Sequence, residues 1–559
     1  MAAPSPPGSS KSSMRSVVFE NRGSSAKSLA DSSMTDIELQ PYDDDIKEDD
    51  EKEAHLQGDV EQALMDLEHC IVGWDGVDDP QNPKNWPRKE RYRSLMMISL
   101  MGFVMSVPLT PTAHPNSKDF NQLTNILFSP LASSMVSPGV LIMNREFKNR
   151  NLELTTFVIS VNVLGWAFGP LLFAPLCDIF GRRRVLDFAN MNFVIWQIGC
   201  ALAPNISSLV VFRFLVGLGG AGCLTIGGGT ISDLFSTMES GAASAVFAMG
   251  PLFGPVVGPI AGGFLAQRVG WRYAYWTLLA FGGFITTLAT IFGRETHPAV
   301  LLERKAAALR KSIGNPALIN YYYRHHPERT RKDIFIDSFK RPIKMVVQSP
   351  ICAIMCLYMS IMYGILYLLF TSMPLVFYQK YSWDPEKTGL SYLGIGTGLF
   401  LGLIIIGKSS DSILMKLAAA NGGVAEPEMR LSMSAGFVSL LPVGLFWYGW
   451  SVENHTHWIV PIIGMMFVGF ALMGVFVPIQ TYMIDAFKGY SAAALAALTS
   501  SRSVVGAVLP LAGAPMYKKL GYGWGNSLLA FVALAMIPPV WLLYKRGGQL
   551  RKRNPVRLD

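Results

Sequence analysis

Apolar residues run along this chain in long blocks separated by short polar breaks. Blocks of about 20 such residues, enough to cross about 30 Å of hydrocarbon as helices, fall near 94–142 (interrupted), 154–176, 186–204, 207–231, 242–266, 273–293, 350–377, 388–408, 431–450, 457–484, 491–516 and 524–544. The pattern predicts an all-α polytopic membrane protein with twelve spans, six on either side of a polar stretch at 294–346. It divides the chain into a disordered tail (1–88), a first six-helix bundle (89–293), a central loop (294–346), a second six-helix bundle (347–544) and a basic tail (545–559).

Two stretches depart from simple blocks. The first span is broken at 105–127, MSVPLTPTAHPNSKDFNQLTNIL, which is polar and proline-rich. Neither flank is long enough to cross the bilayer, whereas the two joined make one span. We read 105–127 as a translated intron, a genuine insertion being the alternative; the sequence of the mature transcript decides between them. The second stretch is GPLFGPVVGPIAGG at 250–263. Gly250, Gly254 and Gly258, each followed by Pro251, Pro255 or Pro259, recur every four residues and form adjacent stripes on a helix. In water such a run would break a helix. In lipid the backbone has no water to turn to, and a glycine stripe admits another helix at close range.

Composition strengthens the membrane reading. Of the 559 residues 50% are hydrophobic and only 16% charged, with a mean hydropathy of +0.31; soluble chains carry about 25% charged residues. The net charge of +8 reads as topology, since Arg182–Arg184, the central loop and the basic C-terminal end all fall on the side of the tail, while the loops at 204–207 and 451–456 hold no Lys or Arg. The positive-inside rule then makes both termini cytosolic. The sequons at Asn205 and Asn454 lie in the uncharged loops and are candidate glycosylation sites. The tail has no early apolar segment of the secretory kind. It ends in GWDGVDDPQNPKNWP (73–87), whose prolines and Asx-type turn residues read as an ordered entry to the first span.

The charge pattern gives no nucleic-acid footprint, the six cysteines show no metal spacing, and no metalloprotease or nucleophile-elbow sequence is present. The match to a phosphate-binding loop at Gly402–Ser409 sits at the end of a span instead of between a strand and a helix, so it does not argue for ATP use. The expectations are therefore no enzyme activity, no cofactor and no metal, with the lipid bilayer and a small-molecule substrate as partners of a monomer.

Several motifs carry a family resemblance. PLCDIFGRRRVL (175–186), VVFRFLVGLGGAG (210–222) and the glycine–proline run resemble the loop, fourth-helix and fifth-helix motifs of the major facilitator superfamily. GWDGVDDPQNPKNWP, GWRYAYW (270–276), LYLLFTSMPLVF (366–377), GLSYLGIGTG (389–398), PEMRL (427–431) and LGYGWGNSLLAF (520–531) are similar to its fungal drug:proton antiporter branch with twelve spans. The resemblance covers about residues 73–550 and departs from the loop motif at Ala174, where glycine is usual. It implies two bundles with a central cavity, alternating access, proton antiport driven by the proton gradient, export of drugs or secondary metabolites, and a place in the plasma membrane. It further implies gating or coupling roles for Asp178, Gly181, Arg182, Arg183, Arg213 and the glycine–proline run. A nutrient or polyamine importer and a non-transporting sensor are the alternatives.

Inside the spans, two arginines stand out. Arg213 lies about 9 Å from the outer edge, where an unsatisfied cation is costly; it reads as a coupling residue or as a clamp on helix carbonyls. Arg502 reads equally as functional or structural. Asp178, Asp187, Asp233 and Asp485 all fall at cytosolic helix ends, leaving no mid-membrane carboxylate, which suits neutral or anionic solutes better than polycations. Cavity candidates are Ser133, Asn162, Tyr358, Tyr363, Tyr367, Gln480 and Arg502, with Phe370 beside the tyrosines.

Overall fold

A computed structural model describes residues 70–76, 78–104, 134–149, 151–235, 254, 257–323, 330–422, 426–487 and 490–553. The tail before residue 70, the 105–127 segment, Ser133, Gly250, Pro251 and Pro255 lie outside the described residues.

The first half contains α1 (Arg88–Val104), α2 (Val140–Glu146), α3 (Leu152–Phe180), α4 (Arg182–Ala201), α5 (Ile206–Leu234), α6 (helical residues 257–268) and α7 (Arg272–Phe292). Next come α8 (Pro298–Ile313) and α9 (Arg331–Gln348). The second half holds α10 (Pro350–Tyr381), α11 (Pro385–Leu390), α12 (Leu393–Ala420), α13 (Leu431–Phe437), α14 (Leu440–Glu453), α15 (Ile459–Ala486), α16 (Ser491–Ala535) and α17 (Ile537–Arg553).

Local chemistry sets the boundaries. Asn151 and Asn205 cap α3 and α5 by accepting backbone N–H bonds, and Ser349 does so for α10 ahead of Pro350. Gly181, at φ 93°, ends α3. Prolines 170, 175, 374, 478, 510 and 515 sit inside helices, as a lipid environment tolerates. Among the described residues eight helical stretches are long and apolar enough to cross a membrane. Three of the twelve expected spans fall outside that set, and the last two are counted as one. The first and fifth expected spans run into residues outside the description, and the third, α4, opens on Arg182–Arg184 and Asp187. The last two spans are merged, although Gly521 at φ 73° kinks the chain between them.

One apolar core draws on residues from Ile98 to Ala289 and the other on residues from Met345 to Leu543. Val163, Trp166 and Ala221 of the first half belong to the second core, so the halves share packed surface along α3 and α16.

Three expectations need correction. The stretch 1–88 is not disordered to its end. Ile71–Val72 (β1) pairs in parallel with Ile319–Asn320 (β2), and Trp74 is buried against Leu302 and Tyr321. Lys305 Nζ completes the clasp at 2.7 Å from Asp75 and 3.6 Å from Asp79, and it donates to the Gly73 carbonyl at 3.1 Å. The central segment is accordingly a small folded plate, with Gly314 at φ 72° closing α8 and a Thr330–Asp333 capping box opening α9. The basic C-terminal end also continues as helix through Arg553, where Arg551 pairs with Glu428 at 3.0 Å.

Candidate substrate chamber and its gates

The ends of α3, α5 and α7 meet the central plate on one face of the molecule, hereafter the loop face. The positive φ at Gly181 turns the chain there, and a Cβ at that position would lie 2.2 Å from Glu295 Oε2. Glu295 Oε1 accepts the backbone N–H of Arg182 at 2.8 Å and those of Thr296 and His297 at 3.2 and 3.1 Å. Arg182 Nε reaches Asp233 at 2.9 Å, and Arg183 donates to the Thr290 carbonyl at 2.7 Å. Asp178 accepts a bond from Ser338 of α9 at 2.9 Å and lies 3.8 Å from His297 Nε2. The loop motif is thus a charge-assisted staple of three helix ends to the plate. The second half repeats the central pair: Arg430 at the head of α13 bonds Asp485 at the end of α15.

On the opposite face the halves meet through backbone. A Cβ on Gly263 would lie 2.4 Å from the Pro385 carbonyl oxygen and one on Gly389 2.5 Å from that of Pro259, while within the first half one on Gly262 would lie 1.8 Å from that of Met135. Gly254, Gly258 and Pro259 of the same run are buried. Only glycine permits such approaches. Arg268 bridges Glu386 at 2.9 Å, and Arg145 donates to Tyr378 Oη at 3.0 Å. Tyr392 Oη donates to the Phe370 carbonyl at 2.6 Å and lies 2.9 Å from Ser137 Oγ.

Between the two faces lies a buried cluster of aromatic rings around Arg502. Arg502 of α16 is only 8% exposed, and its guanidinium carbon stands 5.0 Å from the Tyr363 ring centre and 4.7 Å from that of Phe476. Arg502 Nε and Nη1 have no hydrogen-bond partner among the described residues. From Tyr363 the rings continue to Tyr367 at 5.0 Å, Phe370 at 5.7 Å and Tyr392 at a further 5.7 Å. The ladder therefore joins Arg502 to the closed opposite face. Gly506 sits where Tyr363 and Val163 of the first half converge.

The structure brings Arg502, Tyr363, Tyr367 and Phe370 together. It places other candidates nearby or elsewhere. Gln480 is half-buried one turn from Phe476 on α15, and Tyr358 is buried with its hydroxyl unpartnered among the described residues. Asn162 is buried with Oδ1 unpartnered in the same sense, but its backbone packs on Gly217 of α5. Arg213, 1% exposed, lies within the first half, donating to Tyr275 Oη and the Ile159 carbonyl, each at 3.4 Å. Asn205 and Asn454 are exposed at helix ends, the former with its side chain engaged as a cap. Sequence reasoning missed Glu295, Phe476 and the Arg268–Glu386 bridge. For Glu295 a signal existed, an acid directly after the sixth span.

The family model of the Major Facilitator Superfamily matches residues 123–510. The MFS-type transporter penM of Penicillium rubens is 42% identical over 531 residues, 95% of this chain and 96% of that protein. The efflux pump radE of Floropilus chiversii is 41% identical over 486 residues, covering 86% and 85%. In fold, the chain resembles the partially occluded inward-open xylose transporter XylE of E. coli, with a TM-score of 0.59 at 15% identity over 82% of this chain and 98% of that one. The family model and these relatives, with a fold of two packed helical halves, establish that the chain belongs to the Major Facilitator Superfamily and is a multi-pass membrane transporter, not an enzyme.

Proposed function

We propose that the protein exports small, mostly apolar compounds, drugs or secondary metabolites, by proton antiport through alternating access. The observation that carries this reading is the buried Arg502 and its aromatic ladder near the contact of the halves, leading to an opposite face closed by contacts that can part. The Arg268–Glu386 pair there is 67% and 28% exposed, and exposed ion pairs contribute only about 0–1 kcal/mol. The name of the radE relative, an efflux pump, supports the direction. The loop face is the cytosolic one in this reading, and the membrane is the plasma membrane. The Asp178–Ser338 and Arg182–Asp233 bonds form the inner gate, the glycine–proline run the outer one, and Arg213 keeps the first half rigid while it rocks. The absence of a carboxylate pair for Arg502 among the described residues disfavours polyamine import. The test is deletion of the gene followed by intracellular retention of a labelled compound panel. Retention should rise on deletion and also when a protonophore is added to the parent strain. Unchanged retention for every compound, or strong competition by spermidine, would contradict the proposal.

A further inference from the structure

Buried guanidinium groups ordinarily end on carbonyls, hydroxyls or carboxylates. Arg213 does so, whereas Nε and Nη1 of Arg502 do not among the described residues. The rings of Tyr363 and Phe476 cover the faces of Arg502, and such cation–π contact offsets part of the cost of desolvation. It leaves the Nε and Nη1 donors without acceptors among the described residues, and such donors are the expensive part of a buried cation. The site therefore holds a fixed positive charge with a donor edge, between two aromatic walls, at the end of a ladder of further rings.

We propose that this edge binds the acid group, a carboxylate or enolate, of an amphiphilic organic anion whose flat apolar body lies along Tyr363, Tyr367 and Phe370. The inference rests on the export reading and narrows its cargo. The chemistry selects among ligand classes. A carboxylate presents two acceptors in the fork geometry that a guanidinium matches. A neutral carbonyl offers a weaker bond, and an ammonium meets a like charge in a site of low dielectric. A small inorganic anion would satisfy the donors but leave the aromatic ladder unused. Among the described residues the titratable groups beside Arg502 are Tyr363 and Tyr367, phenols and not carboxylates. The ladder also couples the site to the gate, because Phe370 contributes both a ring next to Tyr367 and the carbonyl that Tyr392 and Ser137 bond.

Three probes share one body and differ in charge: 2-naphthoate, methyl 2-naphthoate and 2-naphthylmethylammonium. Equilibrium binding to the purified full chain in lipid nanodiscs should rank them acid, ester, ammonium, with the acid at least about tenfold tighter than its ester. Arg502→Gln should bring acid and ester within about twofold, and Arg502→Lys should retain an intermediate preference because it keeps the charge and loses the fork. Phe476→Leu, which leaves the charge in place, should weaken all three alike and guards against a folding failure in the arginine variants. Equal binding of acid and ester by the wild type, no acid binding at all, or an acid preference that survives Arg502→Gln would overturn the site. A parallel assay of proton-gradient-driven movement of 2-naphthoate and its ester in proteoliposomes separates the two levels. Acid-selective binding without gradient-driven transport defeats the export reading alone. Gradient-driven transport without acid preference defeats the site alone.

Discussion

Two buried arginines, one in each half of the transporter, meet opposite fates. Arg213 is held by the Ile159 carbonyl of α3 and the Tyr275 hydroxyl of α7, so it ties three helices of the first half into one block. Arg502 has aromatic faces and two donor atoms without acceptors among the described residues. The same side chain, placed where helix backbone is within reach, is a structural clamp. Placed at the seam between halves, it is an open valence. Burial alone therefore does not distinguish a structural cation from a functional one; the partners do. On this ground we propose the clamp role for Arg213, which the sequence left beside a coupling role, and ligand contact for Arg502.

The comparison breaks most directly at Arg213. Arg213→Gln removes the clamp and leaves Tyr275 Oη and the Ile159 carbonyl short of a donor, an expected loss of about 3 kcal/mol in stability. It should appear as a lower apparent melting temperature in nanodiscs, and an unaltered transition would show that the clamp carries no weight. Next in size is Gly389→Leu, at the gate beyond the second half's aromatic ladder. Its Cβ would meet the Pro259 carbonyl, and overpacking of this kind costs about 2 kcal/mol. Transport should fall more than tenfold while membrane insertion is kept, as efflux and surface labelling together would reveal. A smaller effect belongs to the Arg268–Glu386 bridge, for which a double-mutant cycle should give a coupling under about 1 kcal/mol.

The smallest effect is at the entry clasp, where charge balance is the reverse of that around Arg502: one lysine serves two aspartates. Burial tends to raise the Asp79 pKa, but the backbone N–H groups of Asp75 and Gln81 and the Lys305 ammonium outweigh it, so the pKa is lowered. A lowered carboxylate pKa contributes stability above its unfolded value and loses it as pH falls through the folded value. Hydrogen exchange of residues 70–87 should thus remain slow from neutral pH down to about 4 and speed up only below it. Loss of protection already at pH 6 would contradict the assignment.

Much of the architecture was legible in the chain. Apolar blocks marked the spans, and the acid, glycine and basic cluster at Asp178–Arg184 marked the staple at the loop face. The glycines at 262 and 263 do bring backbones together, as the run they end suggested. Signals for the central plate were also present, in Pro298 at a helix start, Gly314 at its end and the Thr330–Asp333 box, but a polar composition concealed them. The Arg182–Asp233 pair and its echo in Arg430–Asp485 span similar lengths of chain, a repeat visible only once both pairs are seen. What could not be read was which buried arginine has partners. That depends on which backbone carbonyls a neighbouring helix presents, a matter of helix rotation that apolar periodicity in an all-hydrophobic span does not encode. The β1–β2 pairing, joining segments almost 250 residues apart, was hidden for the similar reason that two residues carry no strand pattern.

The decisive measurement is the thermal transition of Arg502→Gln in nanodiscs, with and without 2-naphthoate. Replacing an uncompensated buried charge by a neutral side chain should leave stability unchanged or raise it by about 1 kcal/mol, while abolishing the stabilisation that the acid confers on the wild type. A loss of several kcal/mol in the absence of ligand, matching Arg213→Gln, would show that Arg502 is a second clamp and holds no open valence.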